Sequence, residues 1–150
     1  SNLDQKGFTY LQQIGPLPTG VKCSVHYYPH AGTPDIPHPG FTSREHEVER
    51  LRSMVGDRPF GCSETGFHTA QRPKHTDFRK NLPIYTRWTD EDVATHVRHE
   101  IDFWTRMGAE FMVLFQLRDG EADVKESRFG IMRTDGSFKP VAYVLQGGSS

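Results

Sequence analysis

The stretch "RPFGCSETGFHTA", residues 58–70, decides how the rest of the chain is read. Phe60 to Ser63 is small and apolar enough for a short buried strand. Glu64 falls where that strand should stop, and Thr65-Gly66 frees the backbone to turn. A glutamate at the mouth of a buried strand either does chemistry there or is a loop residue kept in solvent. The segments on either side determine which reading has a scaffold to stand on.

Upstream, "VKCSVHYYP" (21–29) reads as a strand from its β-branched and aromatic content. A short helical stretch over Phe8–Ile14 precedes it and is broken by "GPLPTG" (15–20). The long loop 30–40 follows, with three prolines and two glycines. Ser43 then sits at an N-cap position before "REHEVERLRSMVG", in which Val48, Leu51 and Val55 recur at helical spacing and Gly56 ends the run.

Downstream, a polar loop covers 65–87, a length that inside a compact domain is usually functional or mobile. Thr89 caps the clearest helix, "DEDVATHVRHEIDFWTRMG". Asp90, Glu91 and Asp92 suit the positive end of its dipole, and Val93, Val97, Ile101 and Trp104 form one apolar stripe. "AEFMVLFQL" (109–117) is a near-continuous apolar strand. After it come a loop, an extended piece, a turn at Asp135-Gly136 and a closing helix around Pro140. Strands alternating with amphipathic helices predict an α/β fold of parallel βα units.

The chain has 150 residues and a net charge of −1, enough for a single domain over 1–150 with its own core. Without clustered Lys and Arg it does not read as a nucleic-acid binder. No apolar run approaches the roughly 20 residues of a membrane span, and the opening residues do not read as a secretory leader. The expectation is a soluble protein, its compartment open, with secretion as part of a longer precursor one route. Residues 1–2 and 147–150 read as linker. Cys23 and Cys62 both fall in strands and read as buried thiols.

Ligands of parallel α/β sheets bind beyond the C-terminal strand ends. Three clusters occupy those ends: His26, Tyr27 and Tyr28; Glu64; and Gln116, Arg118 and Asp119. Other polar residues favour plainer readings. His96 and His99, three apart, lack the His-Glu-x-x-His order of a zinc helix and read as a solvated face. His30, His38, His68 and His75 scatter through the long loops. Trp88, just before a helix cap, reads as a hydrophobic staple. The basic segment 72–80 reads as a solvated loop.

Four motifs in order, "SVHYYP", "PFGCSETGF", "FMVLFQLRDG" and "FGIMRTDGSFKPVAYVL", resemble the last three βα units of a (β/α)8-barrel retaining glycoside hydrolase. His26 and Tyr28 match the His-x-Tyr pattern ending strand six of that clan. Ser63-Glu64-Thr65-Gly66 matches the string around the nucleophile on strand seven, and Gly130 to Tyr143 matches the run after strand eight. The resemblance implies a partial TIM barrel, C-terminal half-like, with Glu64 as catalytic nucleophile and His26, Tyr28, Gln116 and Asp119 on the substrate side. It implies a carbohydrate or polysaccharide substrate, which makes a sugar platform the alternative for Trp88 and an anionic-saccharide site the alternative for 72–80, and no cofactor or metal. Retaining chemistry needs a second carboxyl about 5–5.5 Å away. In that clan it follows strand four as Asn-Glu, a dipeptide this chain lacks. The implied partner is therefore a second copy or the missing part of the barrel. The alternative is a non-catalytic carbohydrate-binding or assembly module on the same scaffold. A small dimeric α/β protein of unrelated function is a third reading, because one architecture hosts many chemistries.

Overall fold

The computed structural model describes residues 5–16, 18–29, 34–69, 88–122 and 127–147. His30, His75, the basic segment 72–80, most of the loop before Trp88, and residues 1–2 and 148–150 lie outside them. The elements run α1 (Gln5–Ile14), β1 (Cys23–His26), α2 (Arg44–Val55), β2 (Phe60–Thr65), α3 (Asp90–Arg106), β3 (Met112–Leu114) and α4 (Pro140–Leu145). The strands form one parallel sheet in the order β1-β2-β3. The fold is thus α/β, built from βα units. By contacts the chain divides into two compact units, residues 1–65 with 102–113 and residues 66–101 with 114–150.

In the first unit the core follows from strand alternation. Val25 and Tyr27 point one way along β1 and its continuation, and both are buried with Phe60, Cys62, Val48, Leu51 and Trp104. Tyr27 stands edge-on to Trp104, with ring centroids 5.6 Å apart. Such a pair is worth about 1 kcal/mol beyond its buried area. Helix α2 forms where its cap predicts: the Ser43 hydroxyl accepts the His46 N–H at 3.1 Å, and Gly56 closes the helix at φ +64°.

Two charged side chains of α2 turn inward. Arg44 donates through Nε to the Tyr27 hydroxyl at 3.1 Å, with its guanidinium 4.0 Å from the centroid of the Phe103 ring. Glu47 is fully buried. It accepts from the His38 ring nitrogen at 3.1 Å and from the His38 backbone N–H, tying the proline-rich loop to the helix. Burial holds the Tyr27 phenol well above the ordinary tyrosine range, against the lowering effect of Arg44 and with a further push from Glu47.

In the second unit, Phe67, Val93, Ala94, Val97 and Val141 form the core, with Trp88, Ile101, Leu114, Ile131 and Val144 packed against it. Helix α3 starts on a reciprocal cap. Thr89 Oγ1 accepts the Asp92 N–H at 3.1 Å, while the Asp92 carboxylate accepts the Thr89 N–H at 2.9 Å. Those bonds to Thr89 lower the Asp92 pKa, so the cap stabilises above the ordinary carboxylate range and weakens as pH falls through it. The closing helix begins at Pro140 in the first turn. At Gly66 a Cβ would lie 2.5 Å from the Phe115 carbonyl oxygen, so the backbones meet where only glycine fits.

Three expectations change. The apolar stripe of α3 serves two cores, with Val93, Val97 and Ile101 in the second unit and Trp104 in the first. The third strand is shorter than 109–117, and Phe111 and Val113 stay 39% and 49% exposed. As the end strand of the sheet it is paired on one side among the described residues. His96 is not on a solvated face: its ring lies 5.0 Å from Phe67 and 4.3 Å from Trp88, while His99 is exposed.

Replacing Glu47 by Ala removes the buried carboxylate that holds the His38 loop and neighbours the Tyr27 hydroxyl. The expected loss is about 3 kcal/mol, read as a lowered urea midpoint at unchanged slope. A midpoint within error of the parent would show that the Glu47 contacts contribute nothing net.

Candidate functional site

Strands β1 and β2 run parallel with Cys23 opposite Phe60, Ser24 opposite Gly61 and Val25 opposite Cys62. His26 then pairs with Glu64 instead of Ser63, because the register slips between Val25 and His26. Ser63 is the extra residue of a β-bulge, and its hydroxyl donates to the Val25 carbonyl at 3.2 Å. The ladder resumes beyond it, the Tyr27 N–H donating to the Glu64 carbonyl at 2.8 Å.

The bulge sets where Glu64 points. Phe60 and Cys62 face the core, and strict alternation would send Glu64 after them. A one-residue slip reverses the faces, and Glu64 emerges beside His26 and Tyr28, the residues of β1 and its continuation that alternate with the core-facing Val25 and Tyr27. Bulges next to functional sites commonly re-aim a side chain in this way.

The resulting cluster is compact. The Tyr28 hydroxyl donates to Glu64 Oε1 at 2.6 Å, a short bond of the charge-assisted kind. His26 Nδ1 lies 3.4 Å from Glu64 Oε2, and both side chains remain partly exposed, 43% and 32%. Burial, then the hydrogen bond and the charge of Glu64, hold the Tyr28 phenol well above the ordinary tyrosine range. Tyr28 is therefore a neutral donor throughout the physiological range. The arrangement holds one carboxylate oxygen on a phenol, sets the other near an imidazole, and leaves the group open to a reacting partner.

His26, Tyr28 and Glu64 thus come together within the first unit. Gln116 and Asp119 belong to the second. There the Gln116 backbone N–H donates to the Phe129 carbonyl at 3.2 Å. Asp119 is nearly buried: one oxygen accepts the Gly130 N–H at 2.8 Å, and the other pairs with Lys139 Nζ at 2.7 Å. The Asp119–Lys139 pair was not anticipated from the sequence, since twenty residues separate its members and neither lies in an apolar pattern. Among the described residues no group of three or more His, Cys, Asp or Glu could hold a metal ion, and no helix is long and apolar enough to cross a membrane.

No protein-family model matches the chain, and no curated protein matches it. Among solved structures it is similar to a β-glucuronidase from Ruminococcus gnavus in complex with C6-substituted uronic isofagomine. The identity is 19% and the TM-score 0.45. The match covers 69% of this chain and 18% of that one.

The raised Tyr28 pKa has a defined pH consequence. A phenol whose folded pKa lies above its unfolded value of about 10 contributes stability below pH 10 and loses it as pH rises further. In an alkaline titration followed by tyrosinate absorbance, Tyr27 and Tyr28 are expected to ionise only together with unfolding. Glu64→Gln should bring one of them, Tyr28, down toward the exposed tyrosines before unfolding. An unchanged titration in that variant would show that Tyr28 does not sense the carboxylate.

Proposed function

We propose that this chain carries the nucleophile-bearing part of a retaining glycoside hydrolase, working with a complementary part that supplies the acid/base carboxyl. The observation that supports this reading most directly is the 2.6 Å bond from the Tyr28 hydroxyl to Glu64, on a carboxylate left partly open. The resemblance of the four sequence motifs supports it independently of that geometry.

In the proposed reaction a Glu64 oxygen attacks the anomeric carbon as the bond to the leaving oxygen breaks. That oxygen takes its proton from the second carboxyl, about 5–5.5 Å from the first. Water then attacks the glycosyl ester, its proton passing to the same carboxyl, and Glu64 is released with the anomeric configuration retained. Tyr28 fixes the nucleophile's rotamer and stabilises its negative charge in the resting state. His26, partly exposed beside the other oxygen, orients the carboxylate or the substrate.

The reading can be tested without the missing acid. A 2,4-dinitrophenyl 2-deoxy-2-fluoroglycoside carries a leaving group that needs no protonation, and it traps the glycosyl ester. Across a panel of such sugars, intact-mass spectrometry should show one glycosyl adduct, mapped by peptide sequencing to Glu64 and absent in Glu64→Gln. Tyr28→Phe should label about tenfold more slowly, because the nucleophile's rotamer is no longer fixed for attack. If no sugar labels a sample whose Tyr28 titration shows the Glu64 contact intact, the nucleophile reading fails.

The proposed complementary part has a natural place to join the sheet. Strand β3, with the exposed Val113 on it and the exposed Phe111 just before it, ends the strand order among the described residues, and an open edge of that kind recruits another strand. Light scattering on the chain alone should give a mass above the 17.1 kDa monomer, and Val113→Lys should shift it toward monomer. A monomer at all concentrations would remove self-association from the proposal.

A further inference from the structure

The second unit contains a cavity of about 610 Å³ that shares no residue with the Glu64 cluster. Its volume lies in the range of small-molecule sites, but its lining does not resemble the usual apolar one. Among the described residues Trp88 is the one aromatic wall, and the rest of the lining is polar or charged. Three acids and three bases face it: Asp90, Asp119 and Asp135 against Arg128, Arg133 and Lys139.

These charges are tied to one another. Lys139 and Asp119, each with a side chain 3% exposed, pair at 2.7 Å. Lys139 Nζ also lies 3.4 Å from Thr69 Oγ1 and 3.9 Å from Asp90. Arg133 holds Asp90 at 2.6 Å, and Arg128 approaches Asp119 at 3.9 Å. Asp135 is engaged by the Ser137 backbone N–H and hydroxyl. A wall whose charges already balance has no net attraction for an anion or a cation. It still offers guanidinium donors, carboxylate lone pairs and threonine hydroxyls at fixed positions. Trp88 is held from one side by the His96 ring at 4.3 Å.

We propose that this cavity is a binding site for a neutral sugar of one or two rings, with Trp88 as the apolar wall and the prearranged Asp and Arg groups bonding its hydroxyls. A polyol matches both features, since each hydroxyl donates and accepts and the ring carries an apolar C–H face. An apolar ligand would leave the ionic floor desolvated and unsatisfied. The site stands apart from the reading of Glu64 and would serve to hold a glycan whether or not the chain cleaves one.

The chain has two tryptophans, and Trp104 is buried in the core of the first unit, so a ligand in the cavity reports through Trp88. Methyl glucoside, methyl galactoside, methyl mannoside and cellobiose are titrated while tryptophan emission and, separately, heat are recorded. At least one should give a saturable response in both. Arg128→Gln should weaken it about tenfold, the loss of one charge-assisted bond. Trp88→Leu should abolish the calorimetric signal, with Trp104 emission and circular dichroism confirming the fold. Glu64→Gln should bind as the parent does, which separates this site from the nucleophile reading. The proposal is overturned by no saturable response to any of the four sugars, by equal binding in Trp88→Leu, or by glucuronate or inorganic phosphate binding more tightly than every neutral sugar.

Discussion

One inserted residue governs the geometry of the first unit. Without Ser63 as a bulge, alternation along β2 would carry Glu64 to the same side as Phe60 and Cys62, a carboxylate driven into an aromatic and aliphatic core. With it, the strand delivers two buried side chains to the core and then the glutamate to the opposite face, without leaving the sheet. The serine hydroxyl bonds the Val25 carbonyl at the slip, and the backbone ladder closes again at Tyr27. Burying an unpaired carboxylate costs several kcal/mol, so the bulge, the exposure of Glu64 and the Tyr28 bond form one device.

Each unit meets the same problem with its own polar groups. The first buries Arg44 and Glu47 around the Tyr27 hydroxyl and the His38 loop. The second buries Lys139 against Asp119, with Asp90 and Arg133 beside them. In both, charges that would be prohibitive alone are acceptable because each is bonded in a defined direction. The contacts in which they take part run between segments distant in sequence: loop to helix in the first unit, strand end to helix start in the second. They fix how those segments dock more than they add to net stability.

The helices were legible because their signals are local. Ser43 and Thr89 cap as their side-chain chemistry requires, Gly56 and Pro140 mark an end and a start, and apolar spacing selects the inward faces. Glu64 was legible as a strand-end carboxylate, and its grouping with His26 and Tyr28 followed from parallel strand order. The bulge that aims it was not, since nothing in "CSE" distinguishes a regular strand from a slipped one; the slip is decided by the partner strand. The length of β3 was overread because a continuous apolar run does not reveal that, among the described residues, one side of the strand is unpaired. His96 was misplaced because a helical wheel shows which face a residue is on but not that Phe67 and Trp88 would cover it. The Lys139–Asp119 pair is a contact of the folded chain alone.

The adjacency of Tyr27 and Tyr28 has a consequence for how the site can be lost or changed. One ring is locked into the aromatic core and the other holds the Glu64 carboxylate, yet a single peptide unit separates them. The Tyr27 N–H, one unit upstream, is itself bonded to the Glu64 carbonyl. Any repacking around Trp104 or Arg44 that shifts Tyr27 is therefore transmitted to the donor of Glu64 with no flexible joint between. The holding of the carboxylate and the cohesion of the core are inherited together at this position. The site should exchange its amide protons on the timescale of global opening and not of local fraying, and substitutions that tune one property will rarely leave the other untouched.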